Sequence, residues 1–330
     1  MIETFKAFVI DKDESGKVTP TFKQLSPTDL PKGDVLIKVH YSGINYKDAL
    51  ATQDHNAVVK SYPMIPGIDL AGTIVESEAP GFEKGEQVIV TSYDLGVSHY
   101  GGFSEYARVK SEWIITLTLE ESMIYGTAGY TAGLAIERLE KVGMNIEDGP
   151  VLVRGASGGV GTLAVLMLNE LGYKVIASTG KQDVSDQLLE LGAKEVIDRL
   201  PVEDDHKKPL ASSTWQACVD PVGGEGINYV TKRLNHSGSI AVIGMTAGNT
   251  YTNSVFPHIL RGVNILGIDS VFTAMKLRQR VWRRLAKDLM PENLHEIKQV
   301  ITFDELPEQL NKVIKHENKG RIVIDFGVDK

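Results

Sequence analysis

The chain has 330 residues, 42% of them hydrophobic and 24% charged, the balance of a soluble globular protein with room for two separately cored domains. A formal net charge of −8 argues against nonspecific binding to nucleic acid or to an acidic membrane surface, since both need a basic footprint. Residues 1–10 read as a first strand without a cleavable apolar core, and no window offers the roughly 20 apolar residues of a membrane span, so a cytoplasmic location is expected. The single cysteine, Cys218, cannot close an internal disulfide, which fits a reducing compartment.

In chain order, the first third carries short β-branched runs broken by Gly and Pro: Val35–Val39, Ile65–Val75 and Gly85–Val90. Runs of this length between turn residues predict a compact, mostly β domain. From about Met123 the texture changes. Strand Val151–Val153 leads through a glycine loop into a helix over Thr162–Leu171 that Gly172 stops. There follow strand Lys174–Ser178, a helix over Val184–Leu191 stopped by Gly192, and the short strand Glu195–Ile197. The alternation continues with strand Ala217–Asp220, a helix near Ile227–Leu234, and strands Ser239–Ile243 and Val263–Gly267. Such alternation builds a doubly wound parallel sheet of α/β class. A helix over Ala274–Leu289 and a last strand, Arg321–Asp325, are expected to return to the first domain. The division expected is 1–122 with 270–330, and 123–269.

The loop Gly155-Ala156-Ser157-Gly158-Gly159-Val160-Gly161 follows a strand and opens a helix, the context that a dinucleotide-binding loop requires. Gly158 lets the backbone approach a pyrophosphate, Gly161 permits close helix packing, and the helix N-terminus offers N–H groups to the anion. Ser157, Gly158, Gly159, Val160 and Gly161 are therefore candidate cofactor contacts. At the end of the next strand an NAD site normally carries an acid for the ribose 2′-hydroxyl. This chain reads Ser178-Thr179-Gly180-Lys181 instead, hydroxyls and an ammonium suited to a 2′-phosphate, so NADPH is the expected cofactor. Arg199 reads either as a second cation for that phosphate or as a solvated surface residue.

These features, with Ser42-Gly43-Ile44-Asn45-Tyr46-Lys47-Asp48, Pro66–Gly72, Gly126–Ala132 and Leu266–Val271, resemble the zinc-independent medium-chain dehydrogenase/reductases, and within them the bacterial acrylyl-CoA reductases and quinone oxidoreductases. The resemblance covers essentially the whole chain and implies a GroES-like catalytic domain beside a Rossmann domain. Zinc alcohol dehydrogenases carry a ligand Cys where this chain has Asn45, and Gly-His-Glu where it has Gly67-Ile68-Asp69. With one cysteine in the chain, a metal-free site is expected on both grounds.

The resemblance implies that Asn45, Tyr46 and Asp69 line the cleft beside the nicotinamide, with Tyr46 packing on it. Asn45 could donate to a substrate carbonyl, and Asp69 could orient Asn45 or Lys47. The bland alternatives are packing and loop roles for Tyr46 and Asn45, and satisfaction of backbone amides for Asp69. Thr127 and Met245 are further candidate cofactor contacts, and Ile259, Ser270 and Arg321 resemble family positions near the cofactor. A homodimer paired through the strand near Val263–Ser270 is also implied.

The expected reaction is hydride transfer from NADPH to the β-carbon of an α,β-unsaturated carbonyl, such as acryloyl-CoA, with hydrogen-bond donors holding the enolate. Reduction of a small quinone or enone is the competing enzyme reading, and a non-catalytic NADPH-binding protein comes from a different class. Lys276, Arg280, Arg283, Arg284 and Lys287 share one helix face that could meet CoA phosphates or simply be solvated, with Leu277, Val281, Leu285 and Leu289 opposite. His99 reads as an exposed loop residue and Cys218 as a core one.

Overall fold

The computed structural model describes residues 2–117, 120–201 and 208–328. They divide into two compact units, the first holding residues 1–127, 271–275 and 295–330 and the second residues 128–270 and 276–294. The chain opens with β1 (Phe5–Lys12), β2 (Val18–Leu25), β3 (Val35–Gly43), α1 (Tyr46–Ala51), β4 (Asp69–Ser77), β5 (Gln87–Thr91), β6 (Tyr106–Val109) and β7 (Ile114–Thr116). Helix α2 (Glu120–Lys141) follows, then β8 (Val151–Arg154), α3 (Gly159–Glu170), β9 (Val175–Thr179), α4 (Ser185–Glu190), β10 (Glu195–Asp198), β11 (Trp215–Asp220), α5 (Gly226–Thr231), β12 (Leu234–Val242), α6 (Phe256–Arg261) and β13 (Asn264–Gly267). The last elements are α7 (Met275–Leu285), β14 (Lys298–Thr302), α8 (Leu306–Ile314) and β15 (Arg321–Asp325).

In the first unit β1 pairs with β2, and a second sheet runs β14-β15-β3-β4-β5-β7 with β6 also on β3. Strand β3 shows why this unit has two cores. Its side chains alternate, so Leu36 packs with Phe5, Phe8, Ile10 and Phe103, while Val35, Ile37 and Val39 pack with Leu70, Val88 and Trp113. Phe303, Leu306, Leu310 and Ile324 from the end of the chain complete the first of these cores. Strand β4 begins at Asp69, four residues later than the apolar run suggests. Pro66 lacks an N–H for the ladder, and Gly67 turns the chain at φ 102°, where a Cβ would lie 2.7 Å from Phe103 N.

In the second unit a parallel sheet runs β10-β9-β8-β11-β12-β13 among the described residues. In order of appearance this is 3-2-1-4-5-6, the dinucleotide-binding order, whose ligand crevice opens where the order reverses at β8 and β11. Every residue of β8 and of β11 is buried, as in a sheet covered on both faces.

Helix α7 belongs to the second unit, not to the first as the sequence suggested. It packs on α2: Gly133 leaves room for Val281 and Leu285, which a Cβ there would meet at 3.2 Å. Trp282 stacks on Tyr130 with ring centroids 6.2 Å apart. Of the expected apolar stripe, Val281, Leu285 and Leu289 are buried and Leu277 is half-buried.

Candidate active site and nucleotide site

The glycine loop of the second unit is built by backbone constraints. Gly155 leaves β8 at φ 57°, and a Cβ on it would lie 2.9 Å from Val222 in the turn after β11. Ala156 N–H bonds to Ser178 C=O at 3.0 Å, tying the loop to β9. At Gly161 a Cβ would sit 2.3 Å from Gly155 O, so only glycine lets α3 approach the loop this closely. Gly158 differs: its φ is −87° and a Cβ would meet only Gly155 O, at 3.4 Å. Among the described residues, no other heavy atom outside its chain neighbours comes within 4 Å of that Cβ. The first intrahelical bond of α3 is Thr162 N–H to Gly158 C=O at 2.8 Å, so Gly159, Val160 and Gly161 bring their N–H groups to the helix start. This cradle fits a pyrophosphate.

At the end of β9, Ser157 and Thr179 share a hydrogen bond of 2.9 Å, and Lys181 N–H donates to Thr179 Oγ1 at 3.1 Å. Arg199 reaches over Gly180, where a Cβ would lie 2.6 Å from Nη2. The guanidinium thus joins the Gly180-Lys181 turn although 18 residues separate Arg199 from Lys181 in sequence. Ser178 is buried, and its hydroxyl donates to Asp198 C=O at 3.0 Å across the β9–β10 pair. On the other side of β8, Arg154 and Asp220 form a buried ion pair at 2.8 Å. Asp220 also accepts from Val222 and Gly223 N–H at 2.9 and 3.1 Å, which shapes the turn after β11.

In the first unit the candidate catalytic residues gather around Asp69. Its carboxylate accepts from Asn45 Nδ2 at 2.7 Å, Thr127 N–H at 2.8 Å and Thr127 Oγ1 at 2.6 Å. Arg321 faces it at 3.9 Å and donates to the Ile124 and Ile44 carbonyls at 2.9 and 3.1 Å. These are the partners of an ionised carboxylate. Burial pushes its pKa up, while Arg321 and the Thr127 and Asn45 donors oppose that. Burial pushes Arg321 down, against the pull of Asp69. Asp48 closes the start of α1, accepting from Asn45 N–H at 2.8 Å and Ile68 N–H at 2.9 Å. Burial and then the charge of Asp69 push its carboxyl up to about 7. Gly126 interrupts α2 at φ 49°, ψ −154°, and a Cβ there would lie 2.4 Å from Asp69 Oδ2.

Residues 31–118 match the family model described as an alcohol dehydrogenase GroES-like domain, and residues 159–287 that described as zinc-binding dehydrogenase. Bacillus subtilis YhfP, named as a quinone oxidoreductase, is 46% identical over 98% of this chain and 99% of YhfP. The chain is a medium-chain dehydrogenase/reductase. The Ruegeria pomeroyi acrylyl-CoA reductase AcuI is 41% identical over 97% of this chain and 99% of AcuI. The structure of YhfP with NAD bound matches with a TM-score of 0.95, covering 98% of this chain and 99% of YhfP. That of E. coli K-12 YhdH with bound NADPH matches at 0.92, with 38% identity over 97% of this chain and 99% of YhdH.

Several residues of this medium-chain reductase behave differently from the sequence reading. Asn45 spends its amide inside the protein, on Asp69 and, at 3.4 Å, on Gly43 C=O. The shorter of these bonds ties the Asn45 side chain to the Asp69 carboxylate. Arg321 is almost fully buried in the Asp69 cluster and not aimed at solvent. Met245 and Ile259 are each 70% exposed. Ser270 presents its carbonyl to Arg278, at 2.9 Å.

On α7, Arg280 pairs with Glu137 at 2.9 Å and Arg284 with Glu137, Glu140 and Asp288 at 2.5 to 2.9 Å, so two cations of the basic face are spent on acids of the same unit. His99 is buried, 2.6 Å from Arg108 C=O and edge-on to Trp113. Sequence reasoning missed Arg278, fully buried with its guanidinium 4.5 Å from the Tyr130 ring centroid, and Ser92, whose hydroxyl lies 2.9 Å from that of Thr127. No local sequence signal marks Ser92, since the positive φ of Ser92 and Tyr93, 65° and 52°, shows only in the fold.

Proposed function

We propose that the protein is an NADPH-dependent reductase of the activated C=C bond of α,β-unsaturated carbonyl compounds, with an acryloyl-CoA-type thioester as substrate. The observation that carries the reading is the cation pair at the end of β9, where Arg199 lies over Gly180 beside Lys181 and no acid occupies the edge that selects the unphosphorylated ribose. NADPH, when bound, supplies the hydride. Gly158 and the start of α3 would hold the pyrophosphate, and Lys181 and Arg199 the 2′-phosphate. Tyr46, at the start of α1 and 37% exposed, would pack on the nicotinamide half and bring its hydroxyl to the reacting region. Asp69 would act through Asn45 and Thr127 by fixing their side chains.

The reading includes a site without zinc, which the residues present support. Asn45 and Ile68 stand where the zinc enzymes carry Cys and His, Asn45 is hydrogen-bonded to Asp69, and Cys218 is buried in β11. The reading also includes a cytoplasmic homodimer. Strand β13 ends the parallel sheet, and Val255, Phe256, Ile259 and Leu260 on and beside α6 expose apolar surface, a combination that a second copy could cover. A monomer by sedimentation would remove the dimer.

Quinone reduction is the second reading. It is favoured by the name and the identity of YhfP and by the ion pairs that occupy Arg280 and Arg284. NADPH oxidation by chelator-treated protein, with acryloyl-CoA, free acrylate and benzoquinone compared side by side, separates the two. Preference for the thioester supports the acyl-CoA reductase; an inert thioester and an active quinone replace it with the second reading. Tight NADPH binding with no acceptor turned over would leave a binding protein.

A further inference from the structure

Helices α2, α3 and α4 end in the same hydrogen-bonded turn. The N–H groups of Gly143, Gly172 and Gly192 reach back three residues at 2.9 to 3.1 Å, and those of Met144, Tyr173 and Ala193 reach back five at 2.9 to 3.0 Å. In each, the residue in left-handed backbone is glycine, at φ 106°, 84° and 102°. This is the Schellman turn, in which glycine carries no Cβ penalty. Helix α8 ends in the same turn, with His316 N–H on Val313 C=O at 3.0 Å and Glu317 N–H on Lys312 C=O at 2.9 Å. Here the left-handed residue is His316, at φ 58°. A side chain stands where those three turns have none. Its imidazole stacks on the Tyr46 ring, with centroids 5.1 Å apart and planes 19° from parallel.

We propose that His316 is a positioning residue for Tyr46, holding the phenol ring in one plane so that its other face and its hydroxyl are presented to the cofactor without a cost in rotamer freedom. The inference rests on the reading above that Tyr46 meets the nicotinamide half. Tyr46 sits at the first position of α1, so its backbone is fixed by the helix while its ring, more than a third exposed, has one face to be steadied from outside. The turn at the end of α8 supplies that steadying group.

The test uses His316→Gly, His316→Phe, Tyr46→Leu and the double variant Tyr46→Leu/His316→Gly. The melting temperature of the free protein, the NADPH dissociation constant by fluorescence titration, and kcat and KM for the active acceptor are measured for each. Glycine suits the left-handed turn, so His316→Gly is expected to hold or raise the melting temperature while weakening NADPH about three- to tenfold, the scale of one aromatic stack, and lowering kcat. His316→Phe restores the stack and most of the affinity. In the double variant the histidine change adds nothing to Tyr46→Leu.

Unchanged NADPH affinity in His316→Gly with Tyr46→Leu impaired overturns this inference alone. Failure of His316→Phe to rescue overturns stacking as the cause. Wild-type behaviour of Tyr46→Leu overturns the reading of Tyr46 and this inference with it.

Discussion

Arg199→Ala is expected to weaken NADPH binding and leave NADH binding where it is. The guanidinium is held over Gly180, with Nη2, Nε and Cζ at 2.6, 2.8 and 2.9 Å from where a Cβ would stand. A hydrogen bond to a charged group contributes about 1.5–3 kcal/mol. Arg199 is exposed, so solvent screening puts its share at the lower end, about 1.5–2 kcal/mol, or roughly 10- to 30-fold in Kd. Gly180→Ala is a probe that keeps every charge. Its methyl must displace the tip of a flexible side chain, and Gly180 is not at positive φ, so the fold tolerates the change while the guanidinium moves aside. An intermediate loss, about threefold, is expected. Both variants are titrated with NADPH and NADH by fluorescence at two salt concentrations, and the NADPH loss should shrink as salt rises. A ratio of NADPH to NADH affinity unchanged in Arg199→Ala would refute the reasoning and return Arg199 to the solvated surface.

The remaining expectations concern buried charge and the basic helix. The carboxyl of Asp48 is raised to about 7 by burial and by Asp69, so the folded state binds a proton the unfolded chain releases near pH 4. The stability from that proton is complete below about pH 4 and is lost as pH rises to about 7; urea denaturation should find Asp48→Asn gaining on wild type between about pH 4 and 7, and no pH dependence of the difference would count against it. Asp220→Asn removes one partner of the buried Arg154 pair and is expected to cost about 3–5 kcal/mol, with a loss below about 1 kcal/mol contradicting the burial of that charge. Gly126→Ala, which forces a Cβ to 2.4 Å from Asp69 Oδ2 at a φ that only glycine adopts easily, should cut soluble yield or activity sharply. Arg280→Ala with Arg283→Ala should leave KM for acryloyl-CoA within about twofold, since Arg280 is already paired with Glu137 and Arg283 bonds the Gln279 carbonyl at 3.2 Å; a larger rise would restore α7 as a phosphate-binding face.

The parallel sheet was legible because its strands are short apolar runs between glycine stops, and burial on both faces needs no finer pattern. The glycine loop was legible for the same local reason. What escaped are side chains whose state is set by distant partners. Nothing near Asp69 in sequence announces that Thr127 brings it two donors, or that Arg321 closes the cluster from the last strand. Ser178 sat at the expected edge, yet its hydroxyl turned to Asp198 because β10 pairs there. The basic stripe of α7 had the spacing of a phosphate-binding face and the same spacing as an ion-paired one; only the fold shows that Glu137 and Glu140 on α2 pair with Arg280 and Arg284. His99 and Arg278 show the limit most clearly, as polar residues in segments of ordinary composition that tertiary packing buried.

The discontinuity of the first unit governs its biogenesis. Its core needs Phe303, Leu306, Leu310 and Ile324, and β3 is paired along one edge by β15, through Val323 and Gly43. The second unit is complete by Leu294. On a ribosome adding about 5–20 residues per second, the first unit is therefore completed after the second, waiting with apolar strands exposed until residues 295–330 arrive. Arg321 lies C-terminal to the whole second unit, so the ion cluster around Asp69 forms only after that unit has been synthesised. A chain released early would carry a finished nucleotide-binding unit and an open β unit, a species marked for chaperones or proteases.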